Sequence, residues 1–445
     1  MIGALSRLAR AEPGELGASL WSFVCFFCLL CGYYVLRPIR DEMGIQGGVE
    51  NLPWLFSATF LAMLAVVPVF GYAASRLPRR QLVSWSYLFF IASILGFYAL
   101  FSAGVAPRAV ARAFFVWISV FNLFVVSLFW SLMADLFRPG QAQRLFGLIS
   151  AGGSCGALAG PALTASLAEV LGTAGLLLVS CILLGFALVC VQVLVRRGPG
   201  GPAADQAEPA EFIGGTTWSG IEGILRSPYL LGIVAYVLLY AVLFGFAYLE
   251  LARLVAATYQ DSAQRTALFA QVDLAVNVLT LLGQLFVVGK LVEKLGVGVA
   301  LALLPALGLV GFAAMGLAPV LAVLIVFQVL RRAADYAIAR PAREMLFTVL
   351  AREAKYKSKN FIDTVVFRGG DMISGWVYAA LKAAGLSVAG LAAAAIPGTL
   401  LWLALGVWLG RQHARLAWRT APAASQALTA SSSSERSPGS SSAGT

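Results

Sequence analysis

Charged side chains embedded in long apolar runs are the residues of this sequence with the greatest capacity for chemistry. Arg37, Arg40 and Asp41 share a face at the end of the first run, in LRPIRDEMG, where Pro38 can kink a helix and free backbone groups. Asp273, Asn277 and Gln284 are spaced i, i+4 and i+11, one stripe of a helix. Arg331 and Asp335 are i,i+4 neighbours able to pair, and Arg340 and Glu344 repeat that relation. Arg368 precedes Gly369 and Gly370, with Asp371 at i+3, and Glu250 ends another apolar run. A charge at the bilayer centre costs at least ~2.5–3.5 kcal/mol, so it persists only when paired or facing water. Arginine rather than lysine favours bidentate contact with phosphate or carboxylate. Arginines converging on one cavity would therefore select an anion. The alternative is a set of structural ion pairs, or cytoplasmic anchors misjudged in depth. For Arg343, Arg352 and Lys355 to Lys359 a basic loop is reason enough. For Arg40, Arg368 and Asp371 a site is the better reading.

The elements that must hold these charges are membrane spans. Of 445 residues, 60% are hydrophobic and 12% charged, where a soluble domain carries about 25% charged residues. A span needs about 20 mostly apolar residues. Such runs fall near 16–36, 52–75, 81–103, 108–134, 143–168 and 172–195, and then 228–251, 265–290, 296–317, 319–346, 360–384 and 386–411. Arg331 would lie ~18 Å along its run and Arg368 ~12 Å along its own, at 1.5 Å per residue. The expected organisation is a six-helix half over 1–195, a linker over 196–227, a second six-helix half over 228–419 and a disordered tail over 420–445. In that layout 23 of the lysines and arginines fall on one side and 7 on the other, Arg37 and Arg40 among the latter. The bias predicts cytoplasmic termini in the bacterial inner membrane. It also accounts for the net charge of +11 without nucleic acid.

Several other classes are excluded. The first apolar run lacks a small-residue cleavage site and reads as a span, not a signal peptide. Cys25, Cys28 and Cys31 spell CxxCxxC among phenylalanines and leucines and read as small apolar fillers. The single histidine, His413, falls in a basic tail, so neither a His-based metal site nor a cofactor is expected. No nucleophile–histidine pair or phosphate loop is present, which argues against an enzyme.

The connections GYAASRLPRR from Gly71 and GKLVEKLG from Gly289 loosely resemble the short cytoplasmic loop repeated in each half of major facilitator transporters. Gly152, Gly156 and Gly160 recur every four residues ahead of Pro161, and GALAGP resembles the fifth-helix motif of facilitator antiporters. Close helix packing and an antiporter-specific role both fit that stripe. The segments YYVLRPIRDEMG, LFWSLMADLF, RLFGLISAGG, RPAREMLFTV and KNFIDTVVFRGGD resemble the ATP/ADP translocase family, nucleotide exchangers of intracellular bacteria and plastids with relatives in free-living proteobacteria. Relative to that family Arg40 and Arg368 stand where lysines are expected, Glu250 matches an acid ending the seventh helix, and Gln141 stands near an expected acid.

The expectation is an all-α, polytopic protein of twelve transmembrane helices in two halves, major facilitator-like, working by alternating access as a monomer. The resemblance implies a small anionic substrate, a nucleotide or another phosphorylated or organic anion. Arg37, Arg40, Asp41, Glu250, Arg331, Asp335, Arg340, Glu344, Arg368 and Asp371 are the candidate substrate-binding residues, and Asp273 a candidate for coupling. Proton-driven efflux of an apolar compound and a non-transporting sensor or scaffold are the rivals.

Overall fold

A computed structural model describes residues 15–76, 78–197, 223–350 and 352–420, and among these it contains helices and turns but no strand. Residues 198–222 of the expected linker, the tail from 421 onward, Arg7 and Arg10 lie outside the described residues. So do many side chains of the loop motifs after Gly71 and Gly289.

The chain runs through α1 (Glu15–Gln46), α2 (Leu52–Arg76), α3 (Arg79–Ser102), α4 (Pro107–Leu136) and α5 (Pro139–Arg197). After the linker come α6 (Pro228–Thr258), α7 (Ser262–Gly283), α8 (Gly289–Leu317) and α9 (Leu321–Ala334). The last helices are α10 (Arg340–Leu346), α11 (Arg352–Phe361), α12 (Phe367–Ala383) and α13 (Val388–Thr420). Three π-helical segments interrupt the later ones: Gln284–Val288, Asp335–Ala339 and Ile362–Val366. Starts are set by local chemistry, as at α6, where Pro228 is the first helical residue and Ser227 Oγ accepts the Leu230 N–H. Asp261 caps α7 in the same way.

Nine of the described helices are long and apolar enough to cross a membrane. One of them, α5, is too long for a single ~30 Å crossing and is bent back at Gly172, whose φ of 65° only glycine adopts without strain. It therefore supplies two spans. Two further crossings, α9–α10 and α11–α12, escape that count because π segments divide them and charges crowd them. The twelve runs of the sequence are thus all present as helix. Large apolar side chains such as Trp85, Phe89, Phe186 and Leu401 point outward, where lipid tails cover them.

Three boundaries differ from expectation. The first helix continues ten residues past Leu36, through Pro38 to Gln46, because Arg37, Arg40, Asp41 and Glu42 find partners inside the protein. Arg37 and Arg40 therefore sit within a span and not in the connection after it. The basic connection over 352–359 is helical and feeds α12 through a π segment. The last helix runs to Thr420, so His413 lies on a helix and not in a tail.

Two apolar cores form. One is drawn from α1 to α5 together with Ala267 of α7, and the other from Ile224 onward together with Ile45, Leu52, Leu55, Phe56 and Phe115. In the first core α5 lies directly on α1. A Cβ at Gly152 or Gly156 would come within 2.4 Å of the Phe23 or Phe27 carbonyl oxygen, and one at Gly160 within 2.6 Å of that of Cys31. The glycine stripe is a backbone-to-backbone seam, which supports the packing reading. Cys25, Cys28 and Cys31 are buried in this region, Cys25 Sγ donating weakly to the Ala187 carbonyl.

Candidate substrate cavity

Between the two cores lies a cavity of about 660 Å³. Its α1 wall extends from Phe26 to Asp41, fifteen residues, or about 22 Å along the helix. Six arginines line it: Arg37 and Arg40 from α1, Arg331 and Arg332 from α9, Arg340 from α10 and Arg368 from α12. Among the described residues Asp41 and Asp371 are the only carboxylates on its surface, and Asp273 and Asp335 stand behind it, 1% exposed each. Six guanidinium groups against four carboxylates leave an excess of positive charge in a low-dielectric site, where unscreened charge acts strongly on an anion.

Each arginine is held in a defined way. Arg37 donates through Nη2 to the Tyr336 hydroxyl at 3.1 Å and lies 3.5 Å from Asp273 through Nε. Arg332 Nη2 donates to the other oxygen of Asp273 at 2.5 Å. Arg40 contacts Asp41 at 3.1 Å and stacks 4.1 Å over the Phe115 ring, while Tyr248 donates to the same Asp41 oxygen. Arg331 donates through Nε and Nη2 to Gln328 Oε1 and stacks on Phe244 at 4.4 Å. Arg368 pairs with Asp371 at 3.3 Å, the i,i+3 contact its spacing allows. Stacking on aromatic faces holds a guanidinium without neutralising it, which keeps its donors available to a ligand.

The expected i,i+4 pairs of α9 and α10 do not form. Asp335 contacts Arg340, at i+5 and 3.3 Å, and accepts from Tyr240, while Arg331 turns to Gln328. The cause is the π segment Asp335–Ala339, whose wider turn brings i and i+5 together. Glu344 is left half-exposed beside Lys359, at 2.7 Å, away from the cavity. Glu250 is fully buried but also outside the cavity: it accepts from Arg253 and Tyr378 and lies 3.7 Å from Lys382. It joins α6 to α12. Arg332, Gln328, Tyr240, Tyr248 and Tyr336 complete the site and were missing from the sequence reading. Only Arg332 carried a signal there, as a second charge beside Arg331 in the same run.

One end of the cavity is closed by contacts between the two groups of helices. Glu42, with no exposed surface, receives Arg265 on both oxygens at 2.6 and 2.7 Å. Thr173 and Ser262 hydrogen-bond at 3.1 Å, Trp376 donates to Ser57 Oγ, and Trp54 packs edge-on to Trp376. Glu42 lies near the end of α1, Thr173 just past the bend of α5, Trp54 and Ser57 near the start of α2, Ser262 and Arg265 at the start of α7, and Trp376 in the second half of α12. Deeper in, Asn277 Nδ2 donates to the Ala157 carbonyl and ties α7 to α5.

At the opposite end, the acid expected near Gln141 is supplied by another helix. Glu15, at the start of α1, accepts from Gln141 Nε2 at 2.8 Å and from Arg144 at 3.0 Å. The carboxylate is present in space though absent at that place in sequence.

Known proteins resemble the chain in sequence and in shape. ADP,ATP carrier protein 1 of Chlamydia muridarum (strain MoPn / Nigg) is 23% identical over 453 residues, covering 82% of this chain and 84% of that protein. The protein of the same name from Chlamydia trachomatis serovar D is 22% identical over 490 residues, covering 90% and 91%. Among solved structures, a bacterial homologue of the iron transporter ferroportin in its inward-facing state superposes with a TM-score of 0.64 at 14% identity, over 89% of this chain and 99% of that one. The nucleoside transporter NupG does so with a TM-score of 0.62 at 12% identity, over 90% and 98%. At such identities the superpositions speak for the fold alone. The family model described as Major Facilitator Superfamily matches residues 22–339, most of the chain, and on that ground this multi-pass membrane protein belongs to the Major Facilitator Superfamily.

Proposed function

We propose that the chain is a secondary carrier that moves a nucleotide, or another phosphorylated anion of similar size, across the bacterial inner membrane by exchange. One observation carries the reading: six arginines line a single cavity between two helical cores and outnumber the carboxylates on and behind its wall. The names of the two chlamydial relatives point to the same substrate class. Arg40 and Arg368 clamp the anionic groups, one from α1 and one from α12. Arg331, Arg340 and Arg37 extend the clamp, and Asp41 and Asp371 hold its arginines until substrate displaces them. Asp273 and Asp335 act behind the wall, while Glu250 and Glu344 take no part in binding.

In this reading residues 1–195 and 228–419 are the two halves, and the side rich in basic residues, with both termini, is cytoplasmic. The closed end at Glu42 and Arg265 is then periplasmic and the state described is inward-facing. The cavity and its closed end both belong to one chain, so a monomer suffices. An apolar efflux substrate suits a cavity with this much guanidinium poorly.

The test is uptake of labelled ATP into liposomes holding the purified protein, with and without internal ADP. Stimulation by internal ADP, lost in Arg40→Ala and in Arg368→Ala, is the expected result. Full uptake in both variants would remove the assignment of these arginines. If ATP is not taken up, the same assay run with other phosphorylated metabolites decides the substrate.

A further inference from the structure

The cavity is charged on one side only. Its arginines and aspartates come from α1, α9, α10 and α12, whereas the part contributed by α4 and the first arm of α5 carries no ionisable group. That wall is nevertheless polar. Asn122 lies fifteen residues into the thirty-residue helix α4, close to mid-membrane, and its amide makes no hydrogen bond among the described residues. Ser150 and Ser154 line the cavity from α5, one turn apart. Ser150 Oγ has no partner among the described residues, and Ser154 Oγ has only a 3.5 Å contact to the Ser150 carbonyl.

Asn122 is half-buried and opens onto the cavity, so its amide is turned to whatever occupies that space and not to the protein. Flat aromatic faces adjoin the same wall: Phe26 packs against α5 at Gly153, and Tyr33 lies over Phe121, the residue before Asn122. Both rings line the cavity.

We infer that Asn122, with Ser150 and Ser154, binds the uncharged end of the substrate and sets which uncharged end is accepted. The ligand is two-ended. Its anionic group sits among the arginines, and its other end is a flat, neutral group carrying both hydrogen-bond donors and acceptors, because an amide offers one of each. The inference rests on the anion reading above and adds to it the residues that discriminate. A site built to hydrogen-bond such a group rejects analogues lacking it far more strongly than an apolar pocket does.

The experiment compares binding of ATP and of inorganic pyrophosphate to the purified full chain by calorimetry, in the wild type, Asn122→Leu and the paired variant Ser150→Ala/Ser154→Ala. Asn122→Leu keeps side-chain size and suits a membrane helix, and the serine variant repeats the test at a site less able to disturb folding. The expected result is a loss of about tenfold in ATP affinity, the size of one or two hydrogen bonds, with pyrophosphate affinity unchanged. Equal losses for both ligands would make the role structural and overturn the inference. So would unchanged ATP affinity in both variants, or a wild type that binds ATP no more tightly than pyrophosphate, although in that last case the anion cavity still stands. Binding of neither probe by the wild type would overturn the anion cavity, and this inference with it.

Discussion

Arg37 on α1 and Asp273 on α7 face each other at 3.5 Å, Nε to Oδ2, and join the two groups of helices at the depth of the cavity itself. Asp273 also holds Arg332, so one buried carboxylate separates two guanidinium groups. Replacing it with asparagine leaves both cations facing each other without compensation. Breaking a buried pair from one side costs about 3–5 kcal/mol. Asp273→Asn is expected to melt well below the wild type in detergent and to be stabilised more strongly than the wild type by an added substrate anion. An unchanged melting temperature would mean that water, not Asp273, balances these arginines.

The closed end depends on a bidentate pair, Glu42 with Arg265, geometry that lysine would not reproduce. Glu42→Ala is expected to open this end. A cysteine placed at Thr173, beside Ser262, should then react faster with a membrane-impermeant maleimide. The exchanged pair Glu42→Arg with Arg265→Glu should bring labelling back toward the wild-type rate.

Glu15 supplies the carboxylate that Gln141 does not, and both reach Arg144's neighbourhood at the start of α5. Glu15→Gln is expected to lower transport, and adding Gln141→Glu to restore much of it, because the charge returns to the same few ångströms. Uptake rates of the single and double variants in liposomes decide the point. Failure of the double variant would place the function of Glu15 in the α1 backbone start rather than in its charge.

Glu250 and Arg368 should separate cleanly by assay. Glu250 is a buried acceptor for Arg253 and Tyr378, so Glu250→Gln leaves donors imperfectly paired and costs about 1–3 kcal/mol of stability. Its KM for substrate is expected to stay near that of the wild type. Arg368 lines the cavity, so Arg368→Ala should raise KM with little change in melting temperature. Thermal unfolding and initial uptake rates on both variants test this together.

The helices were legible because a bilayer sets a length and an apolar composition that few other structures meet. Most of the arginines of the cavity were legible too, since charge at membrane depth has few other reasons to exist. Three things were hidden. Spacing along an ideal helix pairs Arg331 with Asp335 and Arg340 with Glu344, and the π turn between them re-pairs all four residues. Glu250 carried the same depth signal as Asp371 but turned away from the cavity, because nothing local in sequence says which face of α6 meets α12. Tyr240, Tyr248 and Tyr336 were hidden for a related reason. A tyrosine in an apolar run is ordinary, and only the fold reveals that its hydroxyl reaches a charge.

All three π turns among the described residues fall between 284 and 366. Such a turn is equivalent to one extra residue accommodated within a helix. Winding 335–339 as an ordinary helix with no residue removed would rotate everything after it by about 100°, the angle of one residue in 3.6 per turn. Arg340 would leave the cavity wall while Arg331 and Arg332 stayed on it. The kind of turn made at this one place therefore acts on specificity as a wholesale exchange of side chains would. Two relatives with identical residues but a different winding here would present different chemistry to their substrates.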